Sequence, residues 1–201
     1  MPTGVHIRDA RRQLFDAAER VLLRDGPSAL TSRSVTTEAD CAKGVLHRHF
    51  ADFDEFLAEL VQERITRVDE QAAALRAAAG TGSVAGHLAT ALTELLDPIA
   101  VAMVSLVFFR DEVRTRLRRA GPAHGIPVLA EARGMLATYL AEERSLGRIA
   151  ADADAENVAL SLIGAGHLLF AGRRPGDAPS PAEVDQLVAT VIADVLQRRL
   201  L

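Results

Sequence analysis

The residues best suited to chemistry stand in one stretch, Leu30 to Phe50, LTSRSVTTEADCAKGVLHRHF. Arg33, Lys43, His47, Arg48 and His49 are hydrogen-bond donors, and the two arginines and the lysine are cationic at neutral pH. What such a set does is donate to anions and to the edges of bases. It does not fit catalysis. His47 and His49 are two apart, so a helix points them in different directions and they cannot share a metal. Cys41 has histidines near it in sequence, but they belong to the same donor-bearing segment. No Gly-rich phosphate loop and no HExxH occurs anywhere in the chain, so no enzyme activity, cofactor or metal site is expected.

The elements that must position these donors can be read from spacing. Thr31 suits an N-cap, its hydroxyl accepting from a free amide of the first turn. Val35 and Ala39 follow four apart, on one helical face. Asp40 falls where that helix must end, and Asp tolerates the left-handed backbone that a sharp turn demands. Cys41 is a small plug for the corner. A second helix from about Ala42 puts Leu46 and Phe50 on one face and Lys43, Gly44, His47 and Arg48 opposite, with Val45 and His49 at the margins. A slim helix with one packed side and one donor side meets the requirement for entering a DNA major groove. Spacing alone fits equally well a helical hairpin with a solvated polar face.

From about Ile7 to Leu60 the chain closely resembles the DNA-binding domain of TetR-family transcriptional regulators. The family's pattern is a Thr-led helix, a turn written A-G-V-S and a recognition helix ending Y-x-H-F. Here the matching residues are Leu30-Thr31-Ser32-Arg33, Ala39-Asp40-Cys41-Ala42 and Lys43 to Phe50. Four positions depart from it. Asp40 replaces the turn Gly, Ala42 a capping Ser, His47 a Tyr and Phe53 a phosphate-holding Lys. The resemblance implies a helix-turn-helix in which Thr31, Arg33, Lys43, Gly44, Val45, His47, Arg48 and His49 meet DNA. Arg33 and Arg48 suit guanine, Val45 a thymine methyl, and Lys43 and His49 phosphate.

Charge is divided along the chain. The net charge is −4, yet residues 1–50 hold 8 Lys and Arg against 6 Asp and Glu, whereas residues 51–201 hold 15 against 21. A mildly basic head on an acidic body suits a DNA reader with few, placed contacts. At 49% hydrophobic and 25% charged the chain forms a core and is not disordered. Its single cysteine excludes an internal disulfide framework and points to a reducing cytoplasm. The start of the chain lacks the apolar core of a signal peptide. The densest apolar run, from Ile99 to Phe109, is too short for a bilayer, so no membrane partner is expected.

Helical periodicity continues throughout, and the fold class is all-α: an N-terminal three-helix helix-turn-helix domain, 1–52, joined to a larger helical effector-binding and dimerisation domain, 53–201. The first helix runs from about His6 to Asp25, burying Leu14, Ala18, Val21 and Leu22, with Arg8, Arg11 and Arg12 at its start for phosphate or simply for solvent. Asp52 caps a long helix from Phe53 to about Ala79. Further helices are expected over Val84 to Leu96, Ile99 to about Arg119, Val128 to Leu146, Ala155 to Ala171 and Ala182 to about Arg199. The acids Glu142 and Glu143 fall on a face expected to be solvated.

In the body, Val184, Leu187, Val188, Val191, Ile192, Val195 and Leu196 form an apolar stripe, and Leu162, Gly164 and Gly166 lie on the preceding helix. Such a stripe is used up within one subunit or pairs two. The resemblance implies the second, a four-helix interface between copies through Leu162, Gly166, Val184, Val188, Val191 and Val195, placing two heads on a palindromic operator. It also implies an effector pocket, for which His87, Met103, Phe108, Met135, Tyr139 and His167 are candidates, although each alone is as readily plain core. The expected protein is a homodimeric, cytoplasmic DNA-binding regulator, a repressor released from its double-stranded operator by an unknown small molecule. The alternative is a helical interaction or ligand-sequestering module whose DNA contacts have decayed.

Overall fold

The computed structural model describes residues 7–120, 125–173 and 177–197, excluding the side chains at 7–9, 120 and 197. Among these residues there are ten α-helices and no strand. They are α1 Ile7–Asp25, α2 Ser32–Glu38, α3 Gly44–His49, α4 Phe53–Ala77, α5 Val84–Leu95, α6 Pro98–Phe109, α7 Asp111–Ala120, α8 Leu129–Ser145, α9 Ala155–Ala171 and α10 Pro181–Gln197. Residues 198–201, where the last helix was expected to end, lie outside the described residues, as do His6 and positions 121–124. No single described helix is long and apolar enough to cross a membrane.

The chain packs as two compact units, residues 1–63 with 102–123, and residues 64–101 with 124–201. The first therefore runs past the boundary expected at 52/53 and recruits a distant segment. Its core begins on α1, where Leu14, Ala18, Val21 and Leu22 are buried as their spacing requires. Phe15 meets Phe50 and Phe56 with ring centroids 5.8 and 5.4 Å away, and Phe56 lies 5.0 Å from Phe50 and 5.6 Å from Phe53. Four rings thus tie α1, the end of α3 and the start of α4 together, at geometries aromatic pairs favour. Gly26, at φ 80°, ends α1 in a conformation that other residues resist.

One expected helix is two. The run from Ile99 to Arg119 breaks at Arg110, between α6 and α7. The Arg110 carbonyl accepts the first bond of α7 from Arg114 N at 3.0 Å. Its guanidinium donates to the Leu30 carbonyl at 3.0 Å and lies over the Phe53 ring at 5.9 Å. The break comes from a contact 80 residues back in the chain, which helical periodicity does not register. On α7, Val113 and Leu117 are buried, four apart, while Arg118 and Arg119 are exposed.

The second unit has its own core, built from Val68 and Leu75 of α4, the stripe Leu88, Leu92, Leu95 and Leu96 of α5, and residues of α8, α9 and α10. At Gly166 a Cβ would stand 2.8 Å from Leu96 Cδ1 and 3.3 Å from Leu92 Cδ2, so the missing side chain is what lets α9 approach α5. Glu143 is not solvated as expected: its exposure is 0%. Oε1 accepts from Gly80 N at 3.2 Å, and Oε2 lies 3.2 Å from Arg148 Nε, an ion contact without hydrogen-bond alignment. Arg148 also donates to the Thr81 and Gly82 carbonyls, each at 2.6 Å. The pair therefore pins the turn between α4 and α5 to the end of α8.

Candidate nucleic-acid interface

The reading hairpin is built by local rules. Thr31 Oγ1 accepts from Ser34 N at 3.1 Å and Ser34 Oγ accepts from Thr31 N at 2.9 Å, a reciprocal cap for α2. Ser34 Oγ also donates to the Ala29 carbonyl at 2.8 Å, anchoring the cap to the preceding turn. Val35 and Ala39 face inward. Asp40 adopts φ 48°, the left-handed conformation expected of it, and Cys41 N reaches the Thr36 carbonyl at 3.0 Å. Cys41 is half-buried in the corner, and burial, with the Asp40 carboxylate beside it, pushes its thiol up, away from the reactive thiolate. The second helix begins at Gly44, two residues later than expected, because neither Ala42 nor Lys43 supplies a capping side chain.

On α3 the two faces separate as the spacing requires. Leu46 and Phe50 are buried; Lys43, Gly44, His47 and Arg48 are exposed; Val45 and His49 are half-buried. Arg33 projects from α2 and is exposed as well. Of the flanking cations, Arg12 is exposed, the side chain of Arg8 lies outside the described residues, and Arg11 is engaged. Its guanidinium lies 4.7 Å over the Phe50 ring and pairs with Glu59, so it packs the head and offers nothing to a phosphate. Arg20 and Arg24 hold Glu38, at 2.8 and 2.9 Å, and keep its carboxyl below the usual range.

Residues 14–60, which span α1 to the first turns of α4, match the family of bacterial regulatory proteins, tetR family. Over that segment the chain is similar to the TetR family. It is 35% identical over 69 residues to the HTH-type transcriptional regulator PksA of Bacillus subtilis (strain 168), covering 33% of this chain and 34% of that regulator. It is 37% identical over 64 residues to the HTH-type nicotine-responsive transcriptional repressor HdnoR of Paenarthrobacter nicotinovorans, covering 30% of this chain and 33% of that one. These alignments thus span about a third of the relatives' length. A member of the TetR family from Streptomyces coelicolor A3 shares the fold at a TM-score of 0.61 and 24% identity, over 92% of this chain and 98% of that one.

The candidate pocket residues fall in both units. Of the candidate pocket residues, Met103 and Phe108 belong to the first unit, and His87, Met135, Tyr139 and His167 to the second. Met103 is buried, while Phe108 is 53% exposed. His87 Nδ1 and Tyr139 Oη share a hydrogen bond of 3.0 Å. Burial, helped by Glu143, raises the Tyr139 phenol, which stays protonated. Met135 is part of the second unit's core. His167 Nδ1 is buried without a hydrogen-bond partner, and burial pushes its imidazole down toward the neutral form.

The candidate dimer residues are placed as follows. Leu162, Gly166, Val184, Val188 and Val195 are all buried inside the second unit, and only Val191 of the six is half-buried. Leu162, Val184, Val188 and Val195 belong to that unit's core. What α9 offers outward is Leu160 and Leu168, 53% and 76% exposed, with Gly164 exposed between them. Four-residue spacing aligns the three on one face. Beside it runs an apolar groove lined by Ala165, Leu169, Gln186, Leu187, Thr190 and Val191. Sequence reasoning also passed over Arg110 and Arg116. Arg116, from α7, grips Asp52 with two bonds of 3.0 and 2.8 Å, holding that carboxyl well below its ordinary range.

Proposed function

We propose that the protein is a homodimeric DNA-binding transcriptional repressor whose grip on a palindromic operator is released by a small molecule. One observation carries the DNA reading: α3 keeps Lys43, His47 and Arg48 exposed and without ion-pair partners among the described residues, directly over a packed Leu46 and Phe50. Such donors are ready for phosphates and for guanine O6 and N7. Arg33 on α2 and the Thr31 cap flank them, and Gly44 and Val45 open the helix toward a base edge. His49, at the margin of the face, holds phosphate.

The dimer forms through the outward face of α9, Leu160, Gly164 and Leu168, with the neighbouring α10 side of the groove. A two-fold axis there makes the patch self-complementary and spaces two heads for two half-sites. The sensing role is supported by the relative from Paenarthrobacter nicotinovorans, whose name describes it as nicotine-responsive, and by unmatched buried polar atoms in the second unit, His167 Nδ1 and Gln71 Oε1. An effector works only by binding the DNA-free conformation more tightly. Helix α4, which gives residues 53–63 to one unit and 64–77 to the other, carries the difference.

Selection of genomic fragments by the purified protein, followed by anisotropy titrations of the enriched duplex, tests this reading. The expected result is an inverted repeat bound with a steep salt dependence. If no sequence is enriched and no duplex binds at low salt, the alternative of a helical module that no longer reads DNA replaces it.

A further inference from the structure

Helix α4 starts, three residues beyond α3, with a cluster of acids: Asp52 at its cap, then Asp54 and Glu55. Their position suits the helix, since Asp52 Oδ1 accepts from Glu55 N at 2.7 Å and negative charge favours a helix N-terminus. It does not suit a surface that must meet DNA, where a carboxylate beside a phosphate repels it. Two arginines of the segment that joins the first unit from far along the chain answer this cluster. Arg116 holds both oxygens of Asp52 in a parallel pair while its Nε reaches Glu112 at 3.2 Å. Arg110 lies 3.7 Å from Asp54 and donates to the Leu30 carbonyl, one residue before the Thr31 cap.

We propose that Arg116 is a positioning residue of the DNA interface: it masks the Asp52 carboxylate, the acid closest in the chain to the end of the reading helix, so that this end of α3 can approach a phosphate. The inference rests on the DNA-binding reading above. Its physical content is charge cancellation at a fixed place. Asp52 is half-exposed and Arg116 about a third exposed, so both sit where solvent and a docking duplex reach them. The bidentate geometry fixes the guanidinium on the carboxylate and keeps the pair in one orientation. Because α7 supplies the cation, residues 102–123 belong to the DNA-binding machinery, and a head cut at residue 52 lacks it.

The test uses the full-length chain and its own selected operator, with three variants: Arg116→Gln, Asp52→Asn and the two combined. Asn caps a helix as well as Asp does, so the start of α4 survives, and melting curves check each fold. Arg116→Gln should weaken operator binding by about tenfold and lower the salt slope by about one unit, since an uncovered carboxylate cancels roughly one phosphate contact. The double variant should return to within about threefold of wild type and regain the slope. Asp52→Asn alone should bind at least as well as wild type. An unchanged Arg116→Gln overturns the proposal. So does a double variant as weak as the single one, which would make Arg116 a direct phosphate ligand or a fold-holding residue. Failure of the wild type itself to bind would instead bring down the DNA-binding reading, and this inference with it.

Discussion

Arg148→Met is the most informative stability test, because the structure isolates what it removes. Glu143 is wholly buried near the end of α8, and Arg148 is the cation beside it, its side chain 19% exposed. Methionine keeps the apolar stem but strips the carboxylate of its cation, leaving it the Gly80 amide and the neighbouring Tyr139 phenol. Breaking a buried ion pair from one side typically costs about 3–5 kcal/mol. Partial solvation of Arg148 argues for the low end, about 3 kcal/mol. The Thr81 and Gly82 carbonyls, which also lose a donor, are on exposed residues where water can replace it. For a chain of this size that is a fall in melting temperature of roughly 6–12 °C. Adding Glu143→Gln removes the stranded charge while keeping an acceptor for Gly80, so the double variant should recover to about 1–2 kcal/mol below wild type. Urea or thermal unfolding by circular dichroism, at one protein concentration, measures both. A single variant within 0.5 kcal/mol of wild type, or a double variant no better than the single, would refute the argument that charge burial governs this site.

Three further outcomes are expected. Arg33→Ala or Arg48→Ala should cost roughly 1–3 kcal/mol of operator binding and relax preference at one base pair, whereas Lys43→Ala should weaken all duplexes alike and lower the salt slope by about one; competition titrations with point-mutated operators separate the two. Leu168→Glu should give a folded monomer in sedimentation with an unshifted circular dichroism spectrum, since its side chain is 76% exposed, while Val188→Glu, at 0% exposure, should unfold the second unit. His167, held toward the neutral form by burial, has a folded pKa below its unfolded value of about 6.5, so its contribution to stability is complete above that pH and is lost as pH falls through it. In His167→Leu the loss of stability as pH falls below about 6.5 should flatten, while the drop at carboxylate pH remains.

What was legible in the sequence is what local spacing encodes. The stripe of α1, the cap at Thr31, the left-handed Asp40 and the two faces of α3 all follow from residues within one or two turns of each other. The misreadings share one cause, which is a partner far away in sequence. Glu143 reads as a surface acid until Arg148 and Gly80 are seen around it. The α10 stripe offers itself as an interface, yet the equally apolar stripe Leu88, Leu92 and Leu95 of α5 needs a partner of its own. That signal was present in the sequence: two unmatched stripes in one chain satisfy each other at no cost in association entropy, and only what is left over can bind a second copy.

The same reasoning explains why Arg110 and Arg116 escaped notice. In the run RDEVRTRLRR they look like a solvated charged face, and most of that face is one. Two side chains differ because the break at Arg110 redirects α7, bringing Val113 and Leu117 inward and leaving the two guanidiniums on the Leu30 carbonyl and the Asp52 carboxylate. Residues 1–63 alone would thus leave Asp52 and Asp54 without Arg116 and Arg110, and the Leu30 carbonyl without its donor. Residues 102–123 complete that unit, and the sequence cost of that completion is a helix interrupted at one arginine.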